Sequence, residues 1–116
     1  MTYATQFIGK TVDVVIDRPI GSKHPKYGDI YPVNYGHIKG IKAPDGENVD
    51  AYVLGTQKPL KKFKGRCIAV IHRIDDDDDK LVVVPEETDM ADEEIRKVTD
   101  FQEKWFKSEI IRKQEK

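Results

Sequence analysis

Short runs of β-branched and aromatic residues, each closed by a turn signal, constrain the fold of this chain most strongly. They occupy its first three quarters, which predicts strands rather than long helices. Proline and glycine turns separate the runs, and the five aspartates Asp75–Asp79 are predicted to form the tip of a hairpin between the last two. The predicted strands cover residues 11–16, 31–38, 49–54, 67–74 and 80–84.

Beyond Pro85 the apolar residues recur at the helical spacing of three and four. The stripe consists of Ile95, Val98, Phe101, Trp105, Phe106 and Ile110, with Trp105 expected in the core. Capping residues at Asp89 and at Thr99 leave one helix or two short ones open. Because five closely spaced strands precede this segment, we predict an α+β fold, a small closed five-stranded (OB-like) β-barrel with a C-terminal helix.

The composition fits one domain over residues 1–116, with 38% apolar residues for a single core. A formal charge of −1 gives no overall attraction to nucleic acid or to an anionic membrane. The single cysteine, Cys67, excludes an intramolecular disulfide and favours a reducing compartment. With no signal-peptide pattern and no apolar run of membrane-spanning length, we expect a cytoplasmic protein without a membrane partner.

Two acidic clusters are candidate metal ligands. The first places Asp45, Glu47 and Asp50 on a glycine turn that leads into a strand, and the second is the aspartate run 75–79. Hard divalent ions such as Mg²⁺ bind to carboxylate oxygens, and five negative charges in one loop are costly unless solvent or a cation compensates them. From the residues alone, an ordinary turn and a solvated loop explain the clusters equally well.

Cations and hydroxyl groups that could contact phosphate oxygens accompany these carboxylates. They are Lys23, His24, Lys26, Tyr27, Tyr35 and Lys80. For any one lysine a solvated surface charge is the safer interpretation, and a core aromatic with a solvated hydroxyl explains Tyr35 equally well. A separate basic stretch, residues 58–66, carries four lysines and one arginine around Phe63 and suggests a groove for single-stranded nucleic acid. One aromatic residue is a small stacking surface, so a solvated loop is favoured there and nucleic acid is not an expected partner.

In chain order, these segments resemble the soluble (family I) inorganic pyrophosphatases. The family pattern Y-P-x-N-Y-G occurs unchanged at residues 31–36, and the spacing of D-G-D-P-x-D is kept at residues 45–50, with Glu47 for the middle aspartate. The pattern D-x-K-L-V-x-V-P is matched by residues 78–85, and E-I-P-x-G-S is echoed by residues 17–22. These matches extend over most of residues 12–107, which suggests a shortened and partly divergent relative.

The resemblance implies Mg²⁺-dependent hydrolysis of inorganic pyrophosphate, or of a related P–O–P compound, by a metal-activated water. It implies the metal ligands Asp17, Asp45, Asp50, Asp75 and Asp78, the catalytic residues Glu47, Tyr35 and Lys80, and the substrate-binding residues Lys26, Tyr35 and Lys80. The implied cofactor is Mg²⁺, the implied partner is a small phosphorylated substrate, and assembly into a homo-oligomer is implied as well.

The sequence departs from the family at the phosphate end of the site. The hairpin that carries the family's second-phosphate arginine is missing between Tyr27 and Tyr31, and Trp105-Phe106 align with a Tyr-Lys pair of the family. Two alternatives therefore stay open beside the hydrolase. One is a non-catalytic module that binds metal and phosphate, and the other is a nucleic-acid-binding barrel.

Overall fold

Six strands and one α-helix are found in the described part of the chain, which in this computed structural model comprises residues 3–26, 28, 30–44, 46–74 and 78–113. The strands are β1 (Thr11–Arg18), β2 (Asn34–Lys42), β3 (Asn48–Val53), β4 (Lys62–Arg73), β5 (Asp79–Val84) and β6 (Ser108–Ile111). The helix α1 spans Asp92–Glu103, and a short 3₁₀ helix, Tyr3–Phe7, precedes β1.

The first five strands close into a barrel. Their order is β1-β2-β3-β5-β4, and β4 pairs back with β1. The β3–β5 pairing is parallel, and the other pairings are antiparallel. The predicted five-stranded α+β barrel with a C-terminal helix is thus confirmed, and β6 adds to it as an outer strand along β4, which the sequence pattern did not predict.

Strand β5 shows how the barrel and the helix share one core. Successive residues of a strand point to opposite faces. Leu81 and Val83 therefore join the cluster inside the barrel, whereas Val82 and Val84 pack in a second cluster with Ile95 of α1. All five side chains are fully buried. Burial on both faces explains why this strand reads as a continuous apolar run.

The apolar stripe beyond Pro85 combines a helix with a strand. Thr99, a candidate second helix start, lies inside α1, where its hydroxyl donates a hydrogen bond to the carbonyl oxygen of Ile95. The chain turns after Glu103, so Ile110 lies on β6 and pairs with β4. Trp105 follows the turn and is 54% exposed. The prediction that Trp105 belongs to the core was wrong, because the helical period ends before it.

The basic stretch at residues 58–66 is only partly a loop. From Lys62 onward it forms the first half of β4 and pairs with β1. Lys62 and Lys64 are exposed, while Phe63 is half-buried and Gly65 is buried, which is the alternation of a strand with one solvated face. Among the described residues, no helix has the length and apolar character that a membrane crossing requires.

Candidate active site

The segment Tyr31–Gly36 is held in place by its asparagine. Asn34 is fully buried, and its Oδ1 accepts hydrogen bonds from the backbone N–H groups of Ile20 and Leu60, each at 3.1 Å. Its Nδ2 donates to the Thr56 hydroxyl at 3.1 Å and to the Lys58 carbonyl at 3.0 Å. Since every strong donor and acceptor of this amide is used, Asn34 joins two loops to the start of β2.

Gly36 allows β1 to approach β2 closely. A Cβ at this position would overlap the backbone carbonyl of Val15. The register of the two strands shifts between Ile16 and Arg18, so that Ile16 pairs with Gly36 and Arg18 pairs with Tyr35. This irregularity brings the end of β1 beside Tyr35, the residue that the sequence nominated for phosphate contact.

The two acidic clusters meet at one buried lysine. Lys80 is 4% exposed, and its Nζ lies 2.7 Å from Asp50 Oδ2 and 2.9 Å from Asp78 Oδ2. Asp50 and Lys80 are register partners on the parallel strands β3 and β5, and Asp78 directly precedes β5. One carboxylate from each cluster therefore faces the same point, although the two residues are far apart in the sequence.

Tyr35 covers this group. Its ring centroid lies 5.5 Å from Lys80 Nζ. Burial, followed by the charge of Asp50, raises the pKa of Tyr35 well above its ordinary value. Tyr35 is therefore a neutral hydroxyl at physiological pH, able to donate a hydrogen bond to an anion.

The donor set at Lys80 suits a hard cation. Asp50 and Asp78 offer carboxylate oxygens within 3 Å of a single atom, and Mg²⁺ is commonly bound through one or two carboxylates together with water and substrate phosphates. Two further predicted ligands, Asp45 and Asp75, lie outside the described residues. Within the described ranges, no group of three or more His, Cys, Asp or Glu side chains is arranged to hold a metal.

Three other predicted site residues have described positions, and two of them, Asp17 and Lys26, line the same cleft as Lys80. Asp17, at the end of β1, accepts a hydrogen bond from His37 Nδ1 at 2.7 Å. Glu47 is exposed in the turn before β3. Lys26 is also exposed, and its backbone N–H donates to His24 Nδ1 at 3.0 Å. The sequence did not predict the Asp17–His37 pair, in which an imidazole is the partner of a carboxylate nominated for metal.

A cleft of about 660 Å³ opens beside Lys80 and Tyr35. The three predicted substrate-binding residues, Lys26, Tyr35 and Lys80, all line it. Two guanidinium groups that the sequence did not nominate, those of Arg18 and Arg73, line it too. Four cationic side chains and one carboxylate, that of Asp17, line the cleft, and this excess of cations suits a compact anion such as a diphosphate.

A family model described as inorganic pyrophosphatase matches residues 10–112. The chain belongs to the inorganic pyrophosphatase family. The family and the enzyme class predicted from the sequence, a diphosphatase-like phosphohydrolase, are thereby confirmed. A comparison with curated protein sequences finds no significant match.

Solved structures of pyrophosphatases share the fold. The enzyme from Ehrlichia chaffeensis is similar with a TM-score of 0.67 and 21% identity, over 88% of this chain and 85% of that one. For the Helicobacter pylori enzyme the TM-score is 0.66 and the identity 19%, over 97% and 89% of the two chains. The Neisseria gonorrhoeae enzyme has a TM-score of 0.58 and 25% identity, over 80% and 72%.

A buried ion pair supports the site in this family member. Arg73, at the end of β4, donates from Nε and Nη2 to the Glu103 carboxylate at 3.0 and 2.7 Å, and its Nη1 lies 3.3 Å from Asp78 Oδ2. The guanidinium also stacks on Phe106, 3.8 Å from the ring centroid. Burial, the largest single effect, lowers the pKa of Arg73, but the hydrogen bonds to Glu103 together with the charges of Glu103, Tyr52 and Asp78 outweigh it and raise that pKa.

Hydrogen bonds extend this ion pair along the wall of the cleft. The Tyr52 hydroxyl donates to Glu103 at 2.7 Å and accepts from Gln102 Nε2 at 2.6 Å. Gln102 Oε1 in turn accepts from the Tyr31 hydroxyl at 2.9 Å. Sequence reasoning missed this network because Arg73 and Glu103 read as ordinary strand and helix residues. The signal that could have revealed it is a charged residue within each apolar pattern.

Proposed function

We propose that this protein hydrolyses inorganic pyrophosphate, or a closely related P–O–P compound, to phosphate with Mg²⁺ as its cofactor. The observation that carries the proposal is the meeting of Asp50 and Asp78 at Lys80, beside a cleft lined by cations. Membership in the pyrophosphatase family supports pyrophosphate hydrolysis in general, and the oxygen donor set supports the choice of metal.

Asp50 and Asp78 would hold the cation, with Asp45, Asp75 and Asp17 as the further ligands that the resemblance implies. When bound, Mg²⁺ lowers the pKa of a coordinated water and neutralises negative charge on the phosphate. The carboxylate of Glu47 would accept a proton from the attacking water.

Lys80 Nζ and the Tyr35 hydroxyl would donate hydrogen bonds to phosphate oxygens, and the ammonium of Lys26 would add positive charge at the rim of the cleft. Lys80 also affects metal binding. Its ammonium neutralises the same two carboxylates that would bind the cation, so we expect the ion and the lysine to compete for them.

The test is release of phosphate from pyrophosphate in the presence and absence of Mg²⁺. We expect turnover with Mg²⁺, and its loss in Asp50→Asn and Asp78→Asn. The matched control is Asp13→Asn, an exposed aspartate on β1 outside the cleft, which should leave the activity unchanged. Purified, folded protein that releases no phosphate with any divalent ion contradicts the proposal.

A second candidate is a non-catalytic module that binds metal and phosphate. It is favoured by Phe106, which stacks on Arg73 where the family resemblance implies a lysine. Thermal stabilisation by Mg²⁺ plus phosphate without any turnover selects this alternative.

The half-burial of Phe63 argues against the nucleic-acid hypothesis, because Phe63 is the only aromatic residue in the basic stretch on which a base could stack. A cytoplasmic location and a homo-oligomeric state remain proposals, the latter tested by light scattering after size-exclusion chromatography.

A further inference from the structure

Arg18 is a cation of the cleft that lacks a counter-charge among the described residues. Its side chain is half-buried and lines the cleft together with Lys26, Tyr35 and Lys80. No hydrogen bond or ion pair joins its guanidinium to the described part of the chain. By contrast, Lys80 is neutralised by Asp50 and Asp78, each within 3 Å.

Arg73, the other guanidinium of the cleft, is already bonded to protein groups. Two of its nitrogens bond to Glu103, a third approaches Asp78, and its face is covered by Phe106. Its side chain is only 6% exposed. Arg73 therefore acts as a positioning group for Asp78, and its hydrogen-bonding edge is not directed to a ligand.

The position of Arg18 follows from the irregular pairing of β1 with β2. Because the register shifts after Ile16, Arg18 stands opposite Tyr35, which covers Lys80. Its charge also reaches the neighbouring Tyr31. Burial raises the pKa of Tyr31, and the strongest charge opposing that rise is Arg18, followed by Lys80. Both cations thus act on the hydroxyl of Tyr31, which lines the cleft with them.

We propose that Arg18 binds the second phosphoryl group of the substrate, the one farther from the carboxylates at Lys80. A guanidinium presents paired N–H donors that match two phosphate oxygens, and an uncompensated one beside tyrosine rings favours an anion. The proposal rests on the proposed function, since it assigns a residue to the same cleft. The hairpin that carries the family's second-phosphate arginine is missing, and strand β1 supplies a different guanidinium to the cleft.

This role makes Arg18 a determinant of specificity. On this assignment, a monophosphate bound near Lys80 does not contact Arg18, whereas a P–O–P compound gains the additional contact. The cleft should therefore favour diphosphates over orthophosphate by an amount that depends on the guanidinium.

The test measures binding of two ligands by isothermal titration calorimetry with Mg²⁺ present. The ligands are methylenediphosphonate, whose P–C–P linkage resists hydrolysis, and orthophosphate. The proteins are the wild type, Arg18→Gln, Arg18→Lys, and the control Lys39→Gln, which removes an exposed cation of β2 outside the cleft. Thermal melts verify that each variant is folded.

We expect Arg18→Gln to lose affinity for the diphosphonate by roughly tenfold to a hundredfold, with little change for orthophosphate. Arg18→Lys should fall between, because it keeps the charge and loses the paired donors, and Lys39→Gln should match the wild type. Three results overturn the assignment: equal losses for both ligands, unchanged diphosphonate binding, or a wild type that binds no diphosphonate. Arg18-dependent binding without phosphate release from pyrophosphate would refute the proposed function alone.

Discussion

The Arg73–Glu103 pair offers a quantitative test of how the site is supported. Both side chains are 6–7% exposed and share two hydrogen bonds. In Glu103→Gln, Arg73 keeps Asp78 as its charged partner, and that carboxylate is 43% exposed and 3.3 Å away. Leaving a buried charge so weakly compensated costs about 3–5 kcal/mol of unfolding free energy. For a domain of this size, that corresponds to a fall in melting temperature of roughly 12–20 °C.

The same reasoning predicts strong coupling between the two residues. In Arg73→Met, the Glu103 carboxylate loses its counter-charge and keeps the hydrogen bond from Tyr52. In the double variant no uncompensated charge is buried, so its destabilisation should be smaller than the sum of the single effects. We expect a coupling energy of about 2–3 kcal/mol.

Urea unfolding followed by circular dichroism measures this double-mutant cycle. The control cycle uses Arg112 and Asp89, a pair at 3.3 Å whose side chains are 32% and 73% exposed. Solvent screening should hold its coupling below about 1 kcal/mol. A coupling between Arg73 and Glu103 no larger than that of the exposed pair would refute the reasoning.

Three further changes test the packing. Gly36→Ala should destabilise the fold by about 3 kcal/mol or more in urea unfolding, because its Cβ would overlap the Val15 carbonyl. Trp105→Ser should alter the unfolding free energy by less than about 0.5 kcal/mol, since the side chain is 54% exposed; a large loss would place it in the core after all. Burial raises the pKa of the Cys67 thiol from 9.0 to about 11, so in the folded state the thiol stays protonated to higher pH than in the unfolded chain. Its stabilising contribution is therefore complete below pH 9.0 and is lost as the pH rises through about 11. Relative to Cys67→Ala, the wild type should lose stability over that range, and parallel pH curves would contradict the assignment.

The sequence alone determined the five-stranded barrel and indicated the residues of the candidate site. Strand alternation and turn residues act over a few neighbouring positions, and these local signals predicted five strands and a following helix. The order of the motifs indicated the family, which a match over residues 10–112 confirmed. The nomination of Asp50, Asp78 and Lys80 also rested on those motifs, and the three side chains lie in contact.

Only the tertiary structure decided which side chains share the cleft. The parallel pairing of β3 with β5 aligns Asp50 with Lys80, and the shifted register of β1 sets Arg18 opposite Tyr35. Neither pairing can be predicted from a local sequence pattern, because strand register depends on how distant segments of the chain pack together. The buried Arg73–Glu103 pair and the exposure of Trp105 follow in the same way from where helix α1 ends against the barrel. Local sequence preferences define the strands and the helix, whereas the closure of the barrel determines which of them lie next to each other.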